Sequence, residues 1–384
     1  MIGWPDATNV LCVRLDNAGD VLMTTPALRA LKHAVPNRRL TLLSSSAGCA
    51  IARYVPEIDA AIRYDAPWVK NDFNAGESGV LQMRDELAAQ RFDAAVIFTV
   101  YSQSPLASAM LCYLAGVPLR LAHCRENPYQ LLTDWIREIE PHERVRHEVQ
   151  RQLDLVAAIG ARPLGLQLSF AVVDRDRGDA IQKLRDAGID TERDWLTMHP
   201  GASAPSRRYP AERFAHIARE LVTRLDCQIA LTGDASETAL AEYVRQQAGG
   251  GVFSVAGELQ LNEFGAAISM SPLLISNNTG PVHIAAAVGT PVVDLYSLTN
   301  PQHTPWRVPN RVLSNDVPCK YCYRSVCPMG HHACLRGVDA DTVVDAALEL
   351  WDARLPVARL SEPRSHDHTR HQRRLPRLRS LPRT

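Results

Sequence analysis

Short apolar blocks alternate with longer stretches of helical spacing along this chain. Residues 10–15 (VLCVRL) are rich in β-formers and predict a strand. They run into the loop Asp16-Asn17-Ala18-Gly19, and Asp20 opens a helix whose face carries Val21, Leu22, Thr25, Leu28, Leu31 and Lys32. That helix stops before Pro36-Asn37. Residues 39–44 (RLTLLS) and 94–100 (AAVIFTV) read as further strands, and 144–159 as a helix with Val145, Val149, Leu153 and Val156 on one face. The second half repeats the scheme. Strands are predicted at 195–198, 228–231, 252–255, 273–276 and 292–296, with helices over 212–225 and from near Pro281. Proline suits a first helical turn, where its missing N–H has no partner in any case.

Strands alternating with helices imply parallel βαβ units. The pattern therefore predicts an α/β fold of two doubly wound domains. We place the joint within 163–177, giving an N-terminal domain over 1–170 and a C-terminal one over 171–355. Ligands in such folds bind at the carboxyl ends of the strands. Three loops at such ends hold the candidate chemistry. In Asn17-Ala18-Gly19-Asp20, the Asp20 carboxylate reads either as a helix cap or as a general base at the mouth of a cleft. The first loop lacks GxGxxG, which argues against a dehydrogenase-type dinucleotide site. In Asn277-Asn278-Thr279-Gly280, free N–H groups at a helix start make an anion site, with a hydroxyl from Thr279 and room for a diphosphate at Gly280. His283, in the first turn, is either a helix histidine with local partners or a group facing the same anion. In His199-Pro200-Gly201-Ala202-Ser203, small residues leave amides accessible, and Arg207-Arg208 nearby can neutralise phosphate. Two anion-type loops in one domain point to a nucleotide-diphosphate donor.

The 384 residues carry 42 Lys+Arg against 42 Asp+Glu, and this balance argues against nucleic acid as a partner. Charge is concentrated only from Pro356 onward, where 356–384 reads as a disordered basic tail. It is either simply solvated or weakly drawn to anionic phospholipid. The start of the chain has no signal-peptide pattern and no segment is apolar enough to span a membrane, so a cytoplasmic protein is expected, at most peripheral at the inner membrane. Nine cysteines then need not form disulfides. Cys12, Cys49, Cys112, Cys124 and Cys227 read as small hydrophobes. Cys319, Cys322, Cys327 and Cys334 are spaced C-x2-C-x4-C-x6-C, which is compatible with a structural zinc, with reduced thiols in a loop, or with redox chemistry.

The stretch AGDVLMTTPALRALKHAVP, followed in order by HPGAS, RRYP, LTGDASE and SNNTGPVHIAAAVGTPVVDLY, resembles glycosyltransferase family 9, the lipopolysaccharide heptosyltransferases. The resemblance covers roughly residues 9–350. It implies a GT-B architecture, two Rossmann-like domains facing across a cleft. It also implies inverting, metal-independent transfer from a nucleotide sugar, often ADP-heptose, to a lipopolysaccharide core or related glycan, with no cofactor needed for catalysis. On this resemblance the catalytic aspartate is Asp20 and the basic phosphate contact is Arg207. Thr279, Gly280 and His283 take the phosphate-binding positions, Glu237 the acid near the ribose, and Ala202 and Ser203 the small-residue loop. One departure stands out. Asn278 occupies a place where heptosyltransferases usually carry Asp, which leaves the donor sugar open between heptose and another sugar. A catalytically idle nucleotide-sugar-binding scaffold is the third reading. Acceptor contacts are expected from 64–79 and 101–106, with Arg63, Trp68, Lys70 and Tyr101 as candidates. His147 and Arg144 are expected on a helix face, either solvated or bordering the cleft.

Overall fold

The computed structural model describes residues 2–69 and 77–353. Lys70 and the tail 356–384 lie outside the described residues. Two six-stranded sheets organise the chain. The first contains β1 (Asn9–Arg14), β2 (Arg39–Ser44), β3 (Ala60–Arg63), β4 (Ala94–Ile97), β5 (Leu119–Cys124) and β6 (Asp134–Arg137). Its spatial order is β3-β2-β1-β4-β5-β6, and every pair is parallel. The second contains β7 (Trp195–His199), β8 (Gln228–Leu231), β9 (Val252–Ser254), β10 (Leu274–Asn277), β11 (Val292–Leu295) and β12 (Asn310–Leu313). It runs β12-β11-β10-β7-β8-β9, again all parallel. Each lobe thus has the doubly wound order, with its topological switch point between the first and fourth strands of its own sheet. The central strands are buried throughout, as a parallel sheet covered on both faces requires.

The helix Ala18–Ala34 fills the angle between the lobes. It is buried almost continuously from Gly19 to Leu31 rather than along one face. The β1–β2 sheet covers one side, the helix Glu148–Ala157 a second, and the helix Gly280–Val288 of the other lobe a third. Accordingly one apolar cluster runs across the boundary, with Val21, Leu22 and Leu28 sharing it with Val282, Ile284 and Ala285. The predicted helix over 144–159 is shorter than its periodicity suggests. It begins at Glu148, with His147 as N-cap, and Val145 is left exposed outside it. His147 is not on a helix face. Its ring stacks on Trp306 at 4.4 Å and its Nε2 meets the Thr304 carbonyl at 2.9 Å, while Arg144 sits exposed in the preceding loop. Among the described residues no helix is long and apolar enough to cross a membrane.

Candidate functional site

The β1–helix turn carries Asp20 at the third helical position. A capping box holds it there, with the Asn17 amide donating to Asp20 Oδ2 at 3.0 Å. Arg14, at the end of β1, donates to Asp20 Oδ1 at 3.1 Å. Asp20 is thus a cap, as the bland reading has it, but one tied to a buried charge system. Arg14 is fully buried and also reaches Asp16 at 3.1 Å and Glu148 at 2.8 Å. Burial by itself would raise the Asp20 carboxyl. Arg14, then His303, the Asn17 amide and His283 outweigh it and hold the group below the ordinary carboxylate range. Asp20 therefore stays ionised.

The second lobe meets this turn directly. A Cβ built on Gly19 would stand 2.5 Å from the Cδ2 of His283, so only glycine lets the two helices approach this closely. His283 is buried and its Nδ1 has no partner among the described residues. Burial, then His303, drives its pKa down to about 3, so it is a neutral imidazole rather than a cation for a phosphate. Arg207 is half-buried, and its charge acts on His283, His303 and Asp294. Arg208 instead turns to the Ala202 carbonyl at 2.8 Å.

A cavity of about 370 Å³ opens at the switch point of the second sheet. Ala202, Ser203, Glu237, Thr279 and Gly280 line it, so five of the residues singled out in the sequence converge there. Thr279 caps the helix Gly280–Val288, whose first amides have no intrahelical acceptor, and a Cβ on Gly280 would meet only open space. Opposite, Leu259, Leu261 and Phe264 form an apolar wall. Glu237 reaches the mouth because Gly201 makes room for it. A Cβ at 201 would lie 2.0 Å from Glu237 Oε1. Burial raises the Glu237 carboxyl, against the bond its Oε2 accepts from the Asp234 amide at 3.0 Å. Burial likewise brings the neighbouring His199 down to about 4. The cavity thus combines an apolar slot for a planar base, an acid for hydroxyls and amides for anionic oxygens.

Asn278 is placed differently from the other candidates. Its amide turns away from the cavity and donates to Asp294 Oδ2 at 2.8 Å and to the His303 carbonyl at 3.0 Å. Sequence reasoning also missed Arg14, Asp16, Glu148, Asp294 and His303. Arg14 and Glu148 are 134 positions apart, and no local spacing signals such a pair.

The four clustered cysteines are free and surround a small hollow with His331 and His332. Among the described residues no group of three His, Cys, Asp or Glu is set to hold a metal ion. Cys319 Sγ instead faces His331 Nε2 at 3.9 Å, and Cys327 accepts backbone N–H groups from 329–332. The segment braces the loop after β7, since Ser206 bonds the Ser325 carbonyl at 3.0 Å and the Arg324 carbonyl at 2.8 Å. It also touches the first lobe, where Tyr323 meets Tyr101 edge-on at 5.6 Å. Trp68 lines a cavity of the first lobe, whereas Arg63 is exposed and pairs loosely with Asp65 at 3.6 Å.

Two doubly wound lobes with a cleft between them make a GT-B architecture, with the Thr279–Gly280 helix start on one side and the fixed Asp20 carboxylate on the other. The model of glycosyltransferase family 9 (heptosyltransferase) matches residues 80–333, and the chain belongs to that family. Lipopolysaccharide heptosyltransferase 2 of Escherichia coli K12 is 26% identical over 297 residues, 75% of this chain and 82% of that protein. Among solved structures, a family 9 glycosyltransferase from Veillonella parvula superposes with a TM-score of 0.74 at 23% identity, covering 91% of this chain and 98% of the other. The E. coli ADP-heptose lipopolysaccharide heptosyltransferase II gives 0.69 at 22%, covering 89% and 98%.

Proposed function

We propose that this protein is an inverting, metal-independent heptosyltransferase that moves heptose from ADP-heptose to a lipopolysaccharide core or related glycan. The observation that carries the reading is the apposition of the Asp20 turn and the Gly280–Val288 helix start, at the Gly19–His283 contact. A carboxylate from one lobe and an anion cradle from the other then share one cleft. The two Escherichia coli relatives are named for this donor or this acceptor type, which supports the choice.

The chemistry follows from the charges. An acceptor hydroxyl attacks the anomeric carbon from the face opposite the diphosphate. The new C–O bond forms as the bond to the diphosphate oxygen breaks, and the hydroxyl proton passes to Asp20. Such general-base help contributes about 10²–10⁴-fold. Negative charge grows on the leaving diphosphate and is met by Arg207 and the amides at Thr279–Gly280. His283 contributes as a neutral hydrogen-bonding ring. Excluding water from the cleft strengthens each of these contacts.

The test is incubation with ADP-heptose and a core acceptor, with EDTA present. ADP release with a product of inverted anomeric configuration supports the proposal. No release, or release only on adding metal, counts against it. A second reading, transfer of another sugar, is favoured by one observation. The residue before Thr279-Gly280 is Asn278, and it is spent on Asp294. A thermal-shift panel of ADP, UDP and GDP sugars separates the two, because a ligand at 100 times its Kd stabilises by about 2.7 kcal/mol. We place the reaction at the cytoplasmic face of the inner membrane, with the basic tail 356–384 adding attraction to anionic lipid. Co-sedimentation with anionic vesicles, lost on tail deletion, is the check.

A further inference from the structure

The loop between β11 and β12 leaves its own lobe and lies as a strap on the first. Gln302, which has no exposure to solvent, donates from Nε2 to Glu140 Oε2 at 2.6 Å and to the Arg146 carbonyl at 3.0 Å. Its own carbonyl accepts the Glu148 amide at 3.1 Å. The Thr304 carbonyl accepts from His147 Nε2 at 2.9 Å. Trp306 stacks on the His147 ring, and its Nε1 donates to the Leu166 carbonyl at 2.6 Å. On its own side the strap is pinned by Asn278, through the His303 carbonyl at 3.0 Å.

The strap lands on a helix start. Glu148 and Val149 open the helix Glu148–Ala157, and their amides have no acceptor within it. The Gln302 carbonyl takes the first, and the second donates to His147 Nδ1 at 3.1 Å. With Nδ1 accepting, the proton of the neutral ring sits on Nε2 and is given to Thr304. Burial brings the His147 ring down to about 4, so this link does not titrate near neutrality. One lobe thus caps a helix of the other.

The capped residue belongs to the charge system around Asp20. Glu148 is fully buried and accepts from Arg14 Nη1 at 2.8 Å, and Arg14 Nη2 reaches Asp20 Oδ1 at 3.1 Å. A continuous run of hydrogen bonds therefore leads from Gln302 through Glu148 and Arg14 to Asp20. Arg14 is shared between the two carboxylates, so a shift of Glu148 draws the guanidinium off Asp20. A misplacement of about 1 Å at a reacting group can cost about 10²-fold in rate.

We propose that His147 and Gln302 are positioning residues for glycosyl transfer. They dock the 302–306 strap of the second lobe on the helix that holds Glu148 and Arg14 and, through them, the base Asp20. The proposal rests on the glycosyl-transfer reading above and adds residues that act through Asp20 rather than on the sugar. The register of the base then depends on the lobes being docked.

The experiment divides the two roles of His147 in the full chain. His147→Asn sets an oxygen where Nδ1 stands, so it keeps the helix cap and loses the bond to Thr304. His147→Gln carries an N–H out to where Nε2 stands, so it keeps the bond to Thr304 and gives up the cap. Gln302→Met keeps the carbonyl that Glu148 uses and removes the bonds to Glu140 and Arg146. Turnover of ADP-heptose, ADP affinity and urea unfolding are measured for the wild type and all three. His147→Asn and Gln302→Met are expected to lower kcat about tenfold or more, with KM for ADP-heptose and ADP affinity within about twofold. His147→Gln should keep kcat within about threefold. A second readout needs no turnover: the Asp20 carboxyl followed by carbon-13 NMR and assigned with Asp20→Asn. Arg14 from β1, His283 and His303 from the second lobe and Asp16 from the same loop act on this carboxyl. In the wild type it should stay ionised through the ordinary carboxylate range, and in His147→Asn and Gln302→Met it should titrate within that range as Arg14 withdraws. A strap that only staples the fold lowers the unfolding midpoint and leaves kcat and the Asp20 titration as they were, and that result overturns the proposal. So does the opposite order, with His147→Asn active and His147→Gln impaired. If the wild type turns over ADP-heptose and these effects are absent, this inference alone falls. If it turns over none while the Asp20 titration moves as expected, the donor reading falls and the link from strap to Asp20 stands.

Discussion

Arg14 and Asp20 are joined at 3.1 Å at the point where β1 hands over to its helix, and Arg14 has no exposure to solvent. The bond fixes both the position and the charge of the proposed base. Asp20→Ala is therefore expected to cut turnover by about 10²–10⁴-fold. Nucleotide affinity should change little, since the donor cavity belongs to the other lobe. ADP-release assays and calorimetry with ADP measure the two effects. The pH dependence has a definite sign. Asp20 is held below the ordinary carboxylate range, so the rate should not fall on its account until the solution is more acidic than that range. An acid limb near neutrality that disappears in Asp20→Asn would contradict this.

Removing the cation tests the same network through stability. Arg14 is the cation that Asp16, Asp20 and Glu148 share, and Glu148 is fully buried. Arg14→Met leaves these carboxylates without their shared partner. Breaking a buried pair in this way costs about 3–5 kcal/mol. Urea unfolding at pH 7 is the measurement, and part of the loss should return at lower pH as the carboxylates take up protons.

The cysteine segment makes a chemical prediction. Cys327 is held below the ordinary thiol range because backbone N–H groups from His332, Met329, Gly330 and His331 outweigh its slight burial. Cys334 is raised, chiefly by burial. Thiolate is the reactive form. Limited iodoacetamide treatment at pH 7, followed by peptide mass mapping, should find Cys327 alkylated well before Cys334. Equal labelling would contradict the backbone-bonded arrangement.

Most central strands were legible because a strand covered on both faces reads as a mostly apolar run, as in VLCVRL and AAVIFTV, but the buried β5 (LRLAHC) was not, since Arg120 and His123 interrupt its run. The edge strands β3 (AAIR), β6 (DWIR) and β12 (NRVL) were not, being four residues long and only half-buried. The loops carrying Asp20 and Thr279 could be found from small residues and helix starts, whereas Glu237 was reached only through the family resemblance. Asp16, Arg14 and Glu148 could not, because their meaning lies in contacts between distant elements. The helix Ala18–Ala34 was expected to have one apolar face. Its burial on nearly all sides follows from the second lobe packing on it, a tertiary fact that periodicity does not contain.

Asn278 and Asp294 form a pair whose arrangement can be inverted. Asn278 Nδ2 donates to Asp294 Oδ2 at 2.8 Å, while Asp294 Oδ1 is buried without a partner among the described residues. Burial pushes the Asp294 carboxyl up from 3.8 to about 8, against the bond from Asn278 and the charge of Arg207. The folded protein thus keeps a proton that the unfolded chain releases. Stability on this account is full below 3.8 and declines as pH rises through about 8. Asp294→Asn should flatten that decline. Asn278→Asp sets two carboxylates together. It should be tolerated near pH 6, where they share a proton, and be strongly destabilising at pH 9, where both ionise. The exchange Asn278→Asp/Asp294→Asn restores one acid facing one amide and should recover most of the loss. Contacting residues couple by about 0.5–3 kcal/mol, within reach of urea unfolding of the four proteins at pH 6 and pH 9. Additive effects at pH 9 would mean that the two side chains act independently. If ADP-heptose turnover also survives the exchange, the carboxylate serves to order the loop and not to read the sugar. Its place in position 278 or 294 would then be interchangeable.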